Sequence, residues 1–297
     1  MSTLGEVVMI ATLAGAATGL GALPVYVTER ISHRFYDAAL GLAAGIMFGA
    51  AVFALVVPGL EFGSLWEVVA GVLIGSVFLL AANRLIPHVH LLIRGEADGT
   101  YPPVAGSEKE VEATPDLVSG SRTAVDGDGR GEDDATDADE DGAPDPDEDL
   151  RQAILVGSAI TIHNVPEGLA IGIAFAGGLE GVGLALAVAI AVQNVPDGFA
   201  MAIPASRTGL SKPKTILYTT ISGAVPEPIA AALGFALVSV VTGLFPLAAG
   251  FAAGTMLAVI FREMIPASHG HGYADEATLT FVLGFVVMVI VDVGLAV

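Results

Sequence analysis

The amino-acid sequence predicts an all-α, polytopic membrane protein of about eight transmembrane helices, with helices 1–3 and 6–8 expected to form an inverted repeat around helices 4 and 5. Three observations carry this prediction. The 297 residues are 54% hydrophobic with a mean hydropathy of +0.72, more apolar than a chain that must cover a water-facing surface. Apolar runs of about 20 residues recur, the length an α-helix needs to cross a hydrocarbon core. The formal charge of −20 is local, because more than half of the acidic residues fall between Glu96 and Asp149.

The first helix is expected over 4–27. Its opening, "MSTLGEVVMIATL", has no basic segment and no convincing cleavage site, which predicts a retained helix rather than a removed leader. The second and third helices are expected over 36–60 and 65–86. Residues 91–150 are rich in Gly, Asp, Glu, Ser and Pro, as in "GEDDATDADEDGAPDPDEDL". Such a segment buries too little apolar surface to offset its ordering entropy, so it is expected to be a disordered acidic loop. Five further helices are expected over 151–175, 182–203, 214–241, 244–266 and 277–297. The organisation is therefore 1–90 with helices 1–3, the loop 91–150, and 151–297 with helices 4–8 and the candidate site.

Basic residues give the orientation. Arg30 and Arg34 lie in the first loop, Arg84, Arg94 and Arg151 flank the third, and Arg207, Lys212 and Lys214 occupy the fifth. The second, fourth and sixth loops carry no Lys or Arg, which puts the odd loops in the cytoplasm and both termini outside. The chain has no cysteine, excluding disulfides and thiolate metal sites. It has only three lysines beside its many carboxylates, a composition expected of a halophile with a salt-rich cytoplasm.

Two segments interrupt the apolar pattern. "TIHNVPEGLAIG" (161–172) and "AVQNVPDGFAMA" (191–202) align without gaps and mark helices 4 and 5 as a related pair. A shorter match relates "LAAGIM…VVP" in helix 2 to "FAAGTM…MIP" in helix 7, two spans of opposite direction, which suggests the inverted repeat. Residues four apart share a helix face, so His163 converges with Glu167, and Gln193 with Asp197. Asn164 and Asn194 sit one position on, about 100° around each helix. Imidazole nitrogen, carboxylates and amide oxygens form a mixed N/O set suited to Zn²⁺ and other divalent first-row metals.

Proline and glycine fit the same reading. Pro166 and Pro196 cannot donate to the carbonyls of Ile162 and Val192, which in lipid must face a cavity or another helix. Gly168 and Gly198 allow close helix approach. Each ionised group at mid-bilayer costs on the order of 3 kcal/mol. Glu167, Asp197 and Glu227 (in "GAVPEPIAAAL") have no Lys or Arg inside helices 4–6 to neutralise them, whereas a divalent cation would. Structural Asn, Gln and His are ordinary in membrane helices; a duplicated constellation is not.

The doubled "HNVPEG" and "QNVPDG" resembles the helix-4 and helix-5 signature of the ZIP (Zrt/Irt-like) divalent metal transporters, nearest their prokaryotic branch. The resemblance covers the chain in helix count, orientation and the place of the variable loop. It implies uptake of Zn²⁺, with Fe²⁺, Mn²⁺ or Cd²⁺ as further substrates, by rocking or elevator-like motion of one helix bundle against another. It implies a primary metal site at His163, Glu167, Gln193 and Asp197, and a second at Asn164, Asn194 and Glu227. In helix 2 it places an acidic pathway residue at Asp37 and a thioether ligand at Met47. The chain departs from the family with Asp197 in place of Glu, and with "FREMIP", where Arg262 replaces the first member of a metal-binding pair and Glu263 remains. In "SHGHGY", His269 and His271 stand two residues apart and are candidates to share a labile metal on the transport pathway.

The expected function is import of a divalent metal into the cytoplasm through a site between helices 4 and 5. The metal is substrate rather than cofactor, and no cofactor or enzymatic activity is expected. The expected partners are the metal ion and the lipid bilayer, without nucleic acid, and a homodimer is the candidate oligomer. Two alternatives stand beside this reading. An intramembrane metalloprotease also suits a His and a Glu on a membrane helix, although the H-E-x-x-H spacing is missing. A metal exporter or channel using the same site is the other.

Overall fold

The computed structural model describes residues 2–24, 32–94 and 146–295. Eight helices among them are long and apolar enough to cross a membrane: α1 Leu4–Gly21, α2 His33–Phe62, α3 Leu65–Arg84, α4 Val156–Ala176, α5 Glu180–Arg207, α6 Lys212–Val240, α7 Phe245–Ser268 and α8 Ala274–Gly294. Expected helix positions hold to within a few residues, except that the first span ends at Gly21 and residues 25–27 of its expected range lie outside the described residues. Helical turns continue beyond the span of α3 to Arg94, and a helix begins at Pro146 ahead of α4. The acidic segment between them, Arg30 and the side chains of His88 and His90 lie outside the described residues.

Proline shapes the local differences from the expected pattern. The sixth helix, expected to be continuous, breaks at Val225 (φ −105°, ψ −54°) between Ala224 and Pro226. Pro226 has no N–H to continue the ladder. The break leaves Glu227 in the first turn of the segment Pro226–Val240, where the helix macrodipole favours an anion. In α2 and α7 a π-helical stretch precedes each proline: Ala50–Val56 before Pro58, and Ile260–Met264 before Pro266. The extra residue per turn lets the chain pass a missing N–H without ending the helix and changes which side chains face inward.

The helices sort into two groups by their most extensive packing. In one, α6 packs on both α4 and α1, and α5 packs on α4 and α1. In the other, α2 packs along α8 and α3 along α7. The groups meet where α4 lies against α7 and α5 against α2. Within each group small residues bring backbones together, as lipid supplies no hydrophobic force between helices. A methyl group at Gly168 would strike the carbonyl of Glu227, and one at Gly198 the carbonyl of Thr18. The outer helices are α3 and α8, whose most apolar windows are only 22% and 17% buried, against 67% for α2, α4 and α7. Their exposed Leu73, Val77, Leu283 and Ile290 suit a lipid-facing surface.

Gly198→Val should disrupt the α1–α5 contact, because the added side chain meets backbone that has no rotamer to move. An overpacked site of this kind costs about 1–3 kcal/mol. The expected result is a lower thermal midpoint in detergent, read by size-exclusion chromatography after heating. The same substitution at Gly294, which has open space around it, should leave the midpoint unchanged.

Candidate metal centre

α4, α5 and the second half of α6 bring seven polar side chains into the interior: His163, Asn164, Glu167, Gln193, Asn194, Asp197 and Glu227, all buried. Their placement follows from local sequence. The i, i+4 spacing stacks His163 over Glu167 and Gln193 over Asp197, and the close α4–α6 packing at Gly168 carries Glu227 in beside them. Donor atoms of His163, Glu167 and Asp197 all lie within 4.8 Å of one another. His163 Nε2 faces Asp197 Oδ2 at 3.5 Å.

The hydrogen bonds leave a consistent set of atoms over. Gln193 Nε2 donates to Glu167 Oε1. Asn194 Nδ2 donates to Glu227 Oε1 (2.6 Å) and to the Ala14 carbonyl (3.0 Å). Asn164 Nδ2 donates to the Ser222 carbonyl (2.9 Å). Every amide thus spends its nitrogen on the protein. The remaining atoms, Asn164 Oδ1, Gln193 Oε1, Asn194 Oδ1, Glu167 Oε2, Asp197 Oδ2, Glu227 Oε2 and both nitrogens of His163, are buried without a hydrogen-bond partner. Buried polar atoms are almost always paired, so this concentration requires an explanation. Oxygen and imidazole donors converging without N–H partners fit a divalent cation.

The other expected residues lie across the seam from this set. Glu263, on the π-helical turn of α7, directs Oε2 toward His163 Nδ1 at 3.7 Å. Met47 is 1% exposed and belongs to the apolar core of α2, and Asp37 is fully buried near the start of α2. Asp37 Oδ1 is 2.8 Å from His271 Nδ1, and the His271 ring stacks on His33 with centroids 4.5 Å apart. His269 takes separate partners, the Ile265 carbonyl and Thr278 Oγ1, so the two histidines are not brought together around one point. The reason is the α7–α8 turn, which directs His269 back onto its own helix and His271 toward α2. Arg262 is exposed.

Sequence reasoning missed several members of this network. The carbonyls of Ala14 and Ser222 carry no sequence signal of their own. Asn83 donates to Glu263 Oε1 at 2.6 Å. It was visible as a polar residue in the otherwise apolar "FLLAANRLIP", but nothing local connects it with a residue of α7. His33 is another, set apart only by lying at a helix end.

A multi-pass helical membrane protein with a buried, partnerless N/O donor cluster is the class of a metal-ion transporter. A family profile described as "ZIP Zinc transporter" matches residues 4–292, and the chain belongs to that family. Similar proteins include the zinc transporter GufA of Myxococcus xanthus, 32% identical over 98% of this chain and 100% of its own length. The human zinc transporter ZIP11 is 32% identical over 94% of both chains. The zinc transporter ZIPB of Bordetella bronchiseptica is 31% identical over 94% of this chain and 78% of its own. Membership makes this protein a transporter of divalent metal rather than an enzyme, which sets aside the metalloprotease alternative.

Binding at the cluster should appear as linkage. A ligand at about a hundred times its dissociation constant stabilises the folded state by about 2.7 kcal/mol. Zinc should therefore raise the thermal midpoint of the wild type, and Glu167→Ala should lose that rise. In chelator, Glu227→Gln should melt at or above the wild-type temperature, because it removes an acidic group from a site with no lysine or arginine. Chelator-treated protein in a differential scanning experiment checks both.

Proposed function

We propose that this protein imports a divalent metal ion, with zinc as the leading substrate, and that the ion is held by His163, Glu167, Gln193 and Asp197. Asn164, Asn194 and Glu227 form an adjoining second site. The observation that carries the proposal is the set of buried acceptor atoms left free while every neighbouring amide nitrogen is tied to the protein. An anion or a neutral hydrogen-bonding solute would need donors there. A dication needs the reverse.

All seven candidate ligands sit on α4, α5 and α6, within one of the two packing groups, whereas Glu263, Met47 and Asp37 sit on the other. This division supports a carrier in which the group α1, α4, α5, α6 moves with its cargo against α2, α3, α7, α8. A pathway role for Glu263, Met47 and Asp37 on the opposing group is part of the same reading. The pairing of α2 with α8 and of α3 with α7 is what an inverted repeat of helices 1–3 and 6–8 would produce, and the π-helical turns before Pro58 and Pro266 are its local counterpart. The basic residues at the odd loops, Arg34 among them, support a cytoplasmic side at the starts of α2 and α8.

His163→Ala and Glu167→Ala should each reduce metal uptake to background while the protein remains inserted and monodisperse. The assay is zinc uptake into proteoliposomes containing a fluorescent chelator, with a panel of competing divalent ions. Undiminished flux in both variants would remove the assigned site. Flux that saturates favours the carrier, and flux linear in concentration favours a channel.

A further inference from the structure

Beyond the ligand cluster, a line of four side chains from four helices crosses the seam between the packing groups. Asn83 Nδ2, on α3, donates to Glu263 Oε1 on α7 at 2.6 Å. Glu263 Oε2 faces His163 Nδ1 on α4 at 3.7 Å, and His163 Nε2 faces Asp197 Oδ2 on α5 at 3.5 Å. Asn83 and Glu263 belong to one group, His163 and Asp197 to the other, so the seam is crossed between Glu263 and His163. The Glu263 side chain is 26% exposed, against 6% for His163, so the line runs from the sealed cluster toward a less buried position.

We propose that Asn83 is a positioning residue for metal transfer across this seam. It holds one Glu263 oxygen in a charge-assisted hydrogen bond and so presents the other to an ion leaving His163. A glutamate has enough rotatable bonds to turn away from His163, and the bond from Asn83 removes that freedom. The donor is neutral, so it orients Glu263 while leaving its charge for the cation; an arginine or lysine there would neutralise it. The base to which Asn83 is fixed is firm. α3 and α7 approach closely at Gly75 and Gly254, and Ser76 Oγ donates to the Gly254 carbonyl at 3.0 Å. The hydrogen bond of Asn83 goes to Glu263 and not to a residue of the proposed primary site, so its effect falls on transfer rather than on capture.

This inference rests on the metal site proposed above, and its test separates the two. Initial zinc uptake into proteoliposomes is measured against concentration for Asn83→Leu. The maximal rate should fall about tenfold, as for outer-shell partners of metal ligands, with the half-saturating concentration within about twofold of wild type. Asn83→Ser, small enough to fit and too short to reach Glu263, carries the same expectation if the leucine variant is poorly inserted. In a Glu263→Ala background Asn83→Leu should cause no further loss, because Asn83 acts only through that carboxylate. Additive losses, or a raised half-saturating concentration at unchanged maximal rate, would overturn the assignment. So would wild-type uptake by Glu263→Ala, and in that case the losses in His163→Ala and Glu167→Ala would still leave the metal site standing.

Discussion

Three acidic side chains, Glu167, Asp197 and Glu227, are buried together in a region where the sequence holds no lysine or arginine from 152 to 206 or from 215 to 261. Burying charge is costly unless it is paired, and pairing within this bundle is not available from lysine or arginine. The surroundings of the three carboxyl groups reflect that constraint. Gln193 and Asn194 each direct an amide nitrogen at one carboxylate oxygen, and Glu227 sits in the first turn of a helix whose dipole favours an anion. These contacts partly stabilise the acidic groups and leave one oxygen of each open to a cation. A site built this way is partly satisfied by its own protein, which suits an ion that must later leave.

The candidate ligands lie within one packing group. α4, α5 and the second half of α6 are joined by glycine contacts that bring backbone against backbone, and the seven polar side chains all lie within that group. A site divided between the groups would be dismantled by any motion at the seam. Glu263 approaches the cluster from α7, on the other group. Membership of the ZIP family gives this arrangement its biological meaning as metal transport across a membrane. Asp197, short as its side chain is, brings its carboxylate within 3.5 Å of His163 Nε2.

Proline has two distinct uses in the molecule. Pro166 and Pro196 lie inside continuous helices beside the ligands, freeing carbonyls within the bundle. Pro58, Pro226 and Pro266 instead coincide with a change of helical type or a break. The break at Val225 creates the helix start that receives Glu227. The π-helical turn before Pro266 places Glu263 opposite His163.

The sequence by itself determined the eight spans, because transfer of apolar residues into lipid adds up along the chain and needs no partner. It also determined which polar residues share a face on α4 and on α5, since the helical repeat is local geometry. Glu227 was visible only as an unneutralised acid and, through the family resemblance, as a ligand. The tertiary structure decided the rest. The sorting of helices into two groups depends on which glycine faces which carbonyl. The separation of His269 from His271 depends on the path of the α7–α8 turn, although the two look like a pair in sequence. The π-helical turns differ from α-helix by one residue in hydrogen-bond register, a change set by packing rather than by residue type. Asn83 and Glu263 meet across 180 positions of chain, and a contact at that separation exists only once α3 and α7 have packed.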